Sequence, residues 1–267
     1  MLSEIFEKDR PIRIAFAKVL KSAYYNPNIV AKIDFFLSSY AEFYNLSIGD
    51  VIAIYNEFTN EYSKDIREFL KTGKYPFEMG VKRDIRRVDY DIVLTLSVVL
   101  SVHRHRIFNQ LILSSSNSSS DIVLIGVGSG LEIEFLNRHN NRITAYDISI
   151  SDFAKTMYGD VKMVESYFDG TEKSLSLIYA IELVEHLSNP VAFLKMVYDS
   201  MMLGGQLFFT TATNVPQIDH LANFPDMVGF ESKLKQIGFT IEQNKVIFHE
   251  SIDSKLKASN NWFEVKK

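Results

Sequence analysis

Three glycines, Gly126, Gly128 and Gly130, stand at alternate positions directly behind the apolar run Asp121-Ile122-Val123-Leu124-Ile125. Glycine lets a chain turn sharply and lets backbone approach a ligand with no Cβ in the way, and a helix start beyond it favours a negative group. Asp147 follows seventeen residues after Gly130, at the end of the segment Arg142 to Tyr146. A carboxylate there accepts hydrogen bonds from both hydroxyls of a ribose, the device of dinucleotide-binding folds. The spacing is nevertheless G-x-G-x-G and not the G-x-G-x-x-G of those folds. Further on, Glu182, Glu185 and His186 follow one apolar segment, and His220 follows another. Two imidazoles and several carboxylates at such places suit the positioning of an acceptor and the handling of its proton, which makes His186 and His220 candidate catalytic residues.

These residues need a scaffold that brings segment ends together. DIVLIG, RITAYD, VKMV, LSLIYA and QLFFTT are short apolar segments separated by helical ones, at Leu131 to Arg138, Ser151 to Tyr158, Pro190 to Met202 and Asp226 to Ile237. Strands alternating with helices predict βαβ units and a parallel sheet. Phe239 to His249 and Trp262 to Lys266 read as two further strands, antiparallel to each other or to the rest. Ahead of this half, Pro11 to Tyr24, Asn28 to Asn45 and Gly49 to Leu70 carry apolar residues at three and four spacing, and a fourth helix is expected from Val88 to Leu113. The serine-rich stretch 114–120 has no apolar anchor and reads as the linker between an all-helical region, 1–113, and an α/β region, 121–267.

Composition narrows the rest. The chain has 267 residues, 46% of them hydrophobic, which suits a large domain or an α/β domain with a smaller partner. A net charge of −4 gives no overall reason to expect a polyanionic partner, so nucleic acid is disfavoured. With no cysteine, disulfides, thiolate metal sites and cysteine nucleophiles are excluded. MLSEIFEKDRPIR is charged and leads into no long uncharged apolar run, which reads against a signal peptide or membrane span and makes a cytoplasmic location the expectation.

Leu177-Ile178-Tyr179-Ala180-Ile181-Glu182-Leu183-Val184-Glu185-His186-Leu187, then Asn189-Pro190, then Leu203-Gly204-Gly205-Gln206-Leu207, resembles the class I S-adenosylmethionine (SAM) dependent methyltransferases from their fourth strand into their fifth. Within that superfamily, residues 121–267 resemble the ubiquinone-biosynthesis O-methyltransferase type. The resemblance implies a Rossmann-like seven-stranded sheet with an antiparallel last strand, here preceded by the helical region. It also implies that Gly126, Gly128 and Gly130 form the cofactor loop, that Asp147 holds the ribose and that Ile148 packs on adenine, with Ser166 and Ile181 as further cofactor contacts. Two positions depart from the pattern. Glu165-Ser166 stands where an acidic residue often meets the adenine amine, and Leu175-Ser176 replaces the common Phe-Asp.

The E-x-x-E-H run with a later histidine also resembles the metal site of some ubiquinone-type O-methyltransferases and of small-RNA 2′-O-methyltransferases. That implies Glu182, Glu185, His186 and His220 as ligands of Mg²⁺ or Mn²⁺, which would lower the pKa of an acceptor hydroxyl. His220 as a metal-free general base stands beside it. The expected function is methyl transfer to a small molecule, at a hydroxyl oxygen, in specialised metabolite biosynthesis. An RNA 2′-O-methyltransferase and a non-catalytic SAM-binding subunit are the alternatives. In the helical region, Arg86, Arg87, Tyr90, His103 and His105 are polar candidates for a substrate lid, and Tyr24, Tyr25, Phe35, Phe36, Tyr40, Phe43 and Tyr44 are spaced for core packing or a homodimer face.

Overall fold

A computed structural model of the chain describes residues 1–115, 121–136, 138, 141–250 and 255–267. Among these, the α/β half forms one seven-stranded sheet in the order β3-β2-β1-β4-β5-β7-β6. The strands are β1 (Ile122–Ile125), β2 (Ile143–Asp147), β3 (Lys162–Glu165), β4 (Leu175–Ala180), β5 (Met201–Thr213), β6 (Thr240–Phe248) and β7 (Ser259–Lys266). The first five run parallel, while β7 runs antiparallel between β5 and β6. That order, with its reversed β7, is the sheet of the class I methyltransferase fold.

Both faces of the sheet are covered, and β1 shows it residue by residue. Ile122 and Leu124 belong to one apolar cluster and Val123 and Ile125 to the other, as the period-two pleat requires. On the second face lie α8 (Pro190–Ser200) and α9 (Met227–Ile237), through Leu194, Val197, Phe230 and Leu234. The first face carries the N-terminal helices α1 (Leu2–Lys8), α2 (Arg10–Lys21), α3 (Pro27–Phe43), α4 (Ile48–Thr72), α5 (Arg87–Leu100) and α6 (Val102–Ser115), followed in chain order by α7 (Asp152–Met157). Phe36 and Tyr40 of α3 meet Phe153 of α7 edge-on, with centroids 5.2 and 5.0 Å apart. Helices and sheet therefore share one continuous apolar cluster.

Several helix ends follow the expected signals. Asp9, Asn26, Ser47, Ser151, Asn189 and Asp226 each cap a helix with a side-chain oxygen, and Gly73 ends α4 in the left-handed region. Other expectations need correction. The single helix expected from Val88 to Leu113 is two, because Ser101 is extended (φ −128°, ψ 124°) and redirects the chain between α5 and α6. The helix expected over Leu131 to Arg138 is a short 3-10 turn, Leu131–Phe135, ended by extended Leu136, and α3 and α6 pack against that turn. Residues 137, 139 and 140 lie outside the described residues. Ser114 and Ser115 of the expected linker are the last residues of α6, and 116–120 also lie outside the described residues. No helix among the described residues is long and apolar enough to cross a membrane.

Candidate functional site

A cleft of about 460 Å³ opens at the C-terminal ends of the central strands, where open α/β sheets bind ligands. At one end the chain leaves β1 through Gly126 (φ 86°), Gly128 (φ 49°) and Gly130 (φ 84°), all in the left-handed region that side chains disfavour. The loop is pinned to the end of β2. Tyr146 accepts from Gly126 N, and Asp147 accepts from Gly128 N at 2.8 Å with Oδ2 and from Ser149 N at 2.9 Å with Oδ1. Those two amides orient the carboxylate and leave it acceptor capacity toward the cleft. Ile148 beside it is 59% exposed, an apolar surface ready for a flat partner, and Ile181 lines the cleft from just past the end of β4. Ser166 is elsewhere. It sits exposed past β3, its hydroxyl donating to the Tyr167 carbonyl, while Glu165 accepts from Ile150 N and pairs with Lys155.

The helical region adds a cation to this end. Arg87, the first residue of α5, lies against Gly128 so closely that a Cβ on Gly128 would collide with its Nη2. Its Nε donates to Asp91 at 2.9 Å, and buried Asp91 also accepts from the Tyr40 hydroxyl at 2.8 Å. The guanidinium is thus held by its inner nitrogen with its outer edge toward the loop. Of the other lid candidates, Tyr90 and His103 line the cleft. Arg86 is exposed and paired with Asp89, and His105 is buried between Val98 O and Asn26 N.

The other end of the cleft is assembled from side chains. Glu182 takes a left-handed conformation (φ 51°) just past β4, and its carboxylate is fully engaged. Arg104 of α6 donates to Oε2 at 2.7 Å, while Thr210 and Asn260 donate to Oε1 at 2.8 and 2.9 Å. Burial is the largest single influence and works against ionising Glu182, but the Arg104 charge and the hydrogen bonds from Thr210 and Arg104 together outweigh it, so the carboxyl titrates below its usual range. Glu185 is the opposite case. It is 1% exposed, its Oε2 has no hydrogen-bond partner among the described residues, and burial next to the Glu182 charge drives its pKa far up.

Glu185, His186 and His220 each bring one ligand atom within 4.8 Å of the others. Glu182 stands outside that group, its oxygens committed to Arg104, Thr210 and Asn260. His186 Nδ1 lies 3.1 Å from Asp219 O, and Asp219 accepts from the Tyr90 hydroxyl. His220 packs edge-on to His186, with centroids 4.9 Å apart. It hydrogen-bonds the Val215 backbone, which leaves Nδ1 unpartnered, and burial first of all lowers its pKa to about 4. His220 is therefore neutral at pH 7 with a free lone pair, the form that accepts a proton or binds a metal. The loop carrying it is tied back to the site, since Glu185 O accepts from Leu221 N and Ala222 N at 2.9 Å.

Arg104, Asp219, His249 and Asn260 are site residues that sequence reasoning did not single out. Arg104 stood in view within His103-Arg104-His105-Arg106, but nothing in that run tells which side chain faces the cleft. His249 lies one residue past β6 and Asn260 in β7, and no local pattern marks them. Of the seven aromatics, Phe36 and Tyr40 are core residues, whereas Tyr24, Phe35 and Phe43 are exposed.

The fold and the cleft define the class: a Rossmann-like chain with the class I methyltransferase sheet and a helical N-terminal layer. Solved structures share this fold at low sequence identity. The pyocyanin biosynthetic protein PhzM superposes with a TM-score of 0.57 at 13% identity, covering 81% of this chain and 72% of its own. The cyclopropane synthase MmaA2 from Mycobacterium tuberculosis gives 0.51 at 11% identity, and the mycolic acid cyclopropane synthase CmaA1, complexed with S-adenosylhomocysteine (SAH), gives 0.50 at 10%. Each of those two covers 61% of this chain and 84% of its own. No protein-family model and no curated protein sequence matches the chain.

Proposed function

We propose that the protein is a SAM-dependent methyltransferase acting on a small molecule, with a hydroxyl oxygen as the atom methylated. One observation carries this reading. A single cleft joins the glycine loop and Asp147 to His186 and His220, so a nucleoside-binding end and a proton-accepting end face the same space. SAM, when bound, supplies a methyl group on a cationic sulfur. Asp147 would hold its ribose, the 126–130 loop its amino acid part and Ile148 its adenine, with the Arg87 edge available to its carboxylate. α4 and α5 cover the acceptor end with Tyr55, Phe58, Tyr62 and Tyr90, which excludes water and fits the lid role of the helical region. Exposed Phe35 and Phe43 on α3 are the surface through which that region would pair two copies.

Glu185, His186 and His220 fit a divalent cation. Two buried atoms of the group, Glu185 Oε2 and His220 Nδ1, have no other partner among the described residues. With Glu182 withdrawn by Arg104, the donor set is one carboxylate and two imidazoles, which suits Mn²⁺ better than Mg²⁺. Such an ion would supply Lewis acidity toward the acceptor hydroxyl. The second reading keeps His220 as a metal-free base, favoured by the Val215 hydrogen bond that leaves its Nδ1 lone pair bare.

Calorimetric titration with Mn²⁺ separates the two. Binding is expected in the wild type and at least about tenfold weaker in Glu185→Gln, which keeps the side-chain shape. Absence of binding leaves only the base. The transfer itself is read by incubating the protein and methyl-labelled SAM with small-molecule extracts and with RNA. Label is expected in a low-mass product, and label confined to RNA would overturn the acceptor class.

A further inference from the structure

The cleft holds a second imidazole pair that neither the proton nor the cation chemistry uses. His103, at the start of α6, and His249, one residue past β6, stack with ring centroids 3.6 Å and planes 11° apart. Both line the cleft. His249 Nε2 meets Asn260 Oδ1, and that bond runs in one direction only. The Asn260 amide nitrogen donates to Glu182 Oε1 at 2.9 Å, and a carboxylate can only accept. Oδ1 is therefore the atom turned to His249, and Nε2 must carry the hydrogen. Nδ1 of the neutral ring is then a bare lone pair, buried and without a hydrogen-bond partner among the described residues.

The arrangement is anchored well away from His249. Glu182 is fixed by Arg104 at 2.7 Å and by Thr210 at 2.8 Å, so an ion pair at the floor of the cleft sets the tautomer of an imidazole on its wall. Burial keeps that imidazole neutral, with a pKa lowered to about 4. A buried acceptor left unmatched is costly, and natural structures match nearly all of them. His103 Nδ1 and Arg104 Nε are unmatched in the same cleft. Polar demand of this kind fits a hydrogen-bonding ligand and not a hydrocarbon chain.

Resting on the methyltransferase reading, we propose that His249 Nδ1 accepts a hydrogen bond from a donor group of the methyl acceptor other than the one methylated. The acceptor class is therefore a small polar molecule with at least two hydroxyl or amine donors. His249 is a specificity-determining residue, and Asn260 and Glu182 are positioning residues behind it.

The test uses the full chain saturated with SAH. The three dihydroxybenzenes, whose hydroxyls lie at three different separations, are titrated against their dimethyl ethers in the wild type, in His249→Phe and in His249→Asn. Phenylalanine preserves the stack on His103 without the lone pair, and asparagine returns an acceptor oxygen near the Nδ1 position. At least one dihydroxybenzene is expected to bind about tenfold or more tightly than its ether in the wild type. That advantage is expected to fall about tenfold in His249→Phe and to return in His249→Asn, with SAH affinity equal in all three proteins. No advantage in the wild type, or an advantage undiminished in His249→Phe, overturns the proposal. Failure at the first step, with no SAH bound, overturns the methyltransferase reading and takes this inference with it.

Discussion

At the β1–β2 end of the cleft the backbone does the holding: a loop of alternate glycines donates its own amide to Asp147, and the whole unit spans residues 122–149. At the β4–β5 end each polar group arrives from a different segment. Arg104 comes from α6, Glu182 from the end of β4, His220 from the loop after β5, His249 from the end of β6 and Asn260 from β7. The first kind of site depends on φ values and tolerates little change in residue type. The second depends on charges and tautomers fixed by one another, so its members are coupled, and removing one leaves the others unmatched.

That contrast predicts its largest effect at Arg104. Arg104→Met leaves the half-buried Glu182 carboxylate with Thr210 and Asn260 but without its cation, a change expected to cost about 3 kcal/mol and to lower the melting temperature by several degrees. Adding Glu182→Gln, which removes the charge and keeps an amide for Thr210 and Asn260, is expected to recover most of that loss in a thermal melt. If the double variant is no more stable than the single one, the two ends do not differ in the way described. At the backbone-built end the readout is the choice of ligand, because Arg87 is held from behind by Asp91 and turns its outer edge to the loop. Arg87→Met is expected to weaken SAH by about tenfold and to leave 5′-methylthioadenosine, which lacks the amino acid part, unchanged. Equal weakening of both ligands would move Arg87 from the carboxylate to the nucleoside.

The same difference explains what could be read in the sequence. Gly126, Gly128, Gly130 and Asp147 lie close together in the chain and obey a local rule, so the turn they form and its strand context were readable. The parallel sheet was accessible because helical or 3-10 segments separate β1 from β2, β2 from β3 and β4 from β5. The break at Ser101 was not, since Val98 to Arg106 carries no glycine or proline, and tertiary packing of α5 and α6 outweighs local propensity. Glu182 and Glu185 look alike in E-x-x-E-H, yet Arg104, 78 residues upstream, holds one ionised while burial drives the other toward its neutral form. No spacing within the motif encodes that partner. His249 stayed hidden for the same reason, because its tautomer is set by Asn260 across the β6–β7 pair.

Everything proposed for the cleft requires that the glycine loop and Asp147 bind SAM. Calorimetric titration of SAH into the wild type and Asp147→Ala tests it most directly. Binding with one-to-one stoichiometry in the micromolar range is predicted for the wild type, with about a hundredfold loss in the variant, the size expected for losing charge-assisted hydrogen bonds to two hydroxyls. No binding at millimolar SAH, or equal binding by both proteins, would contradict it.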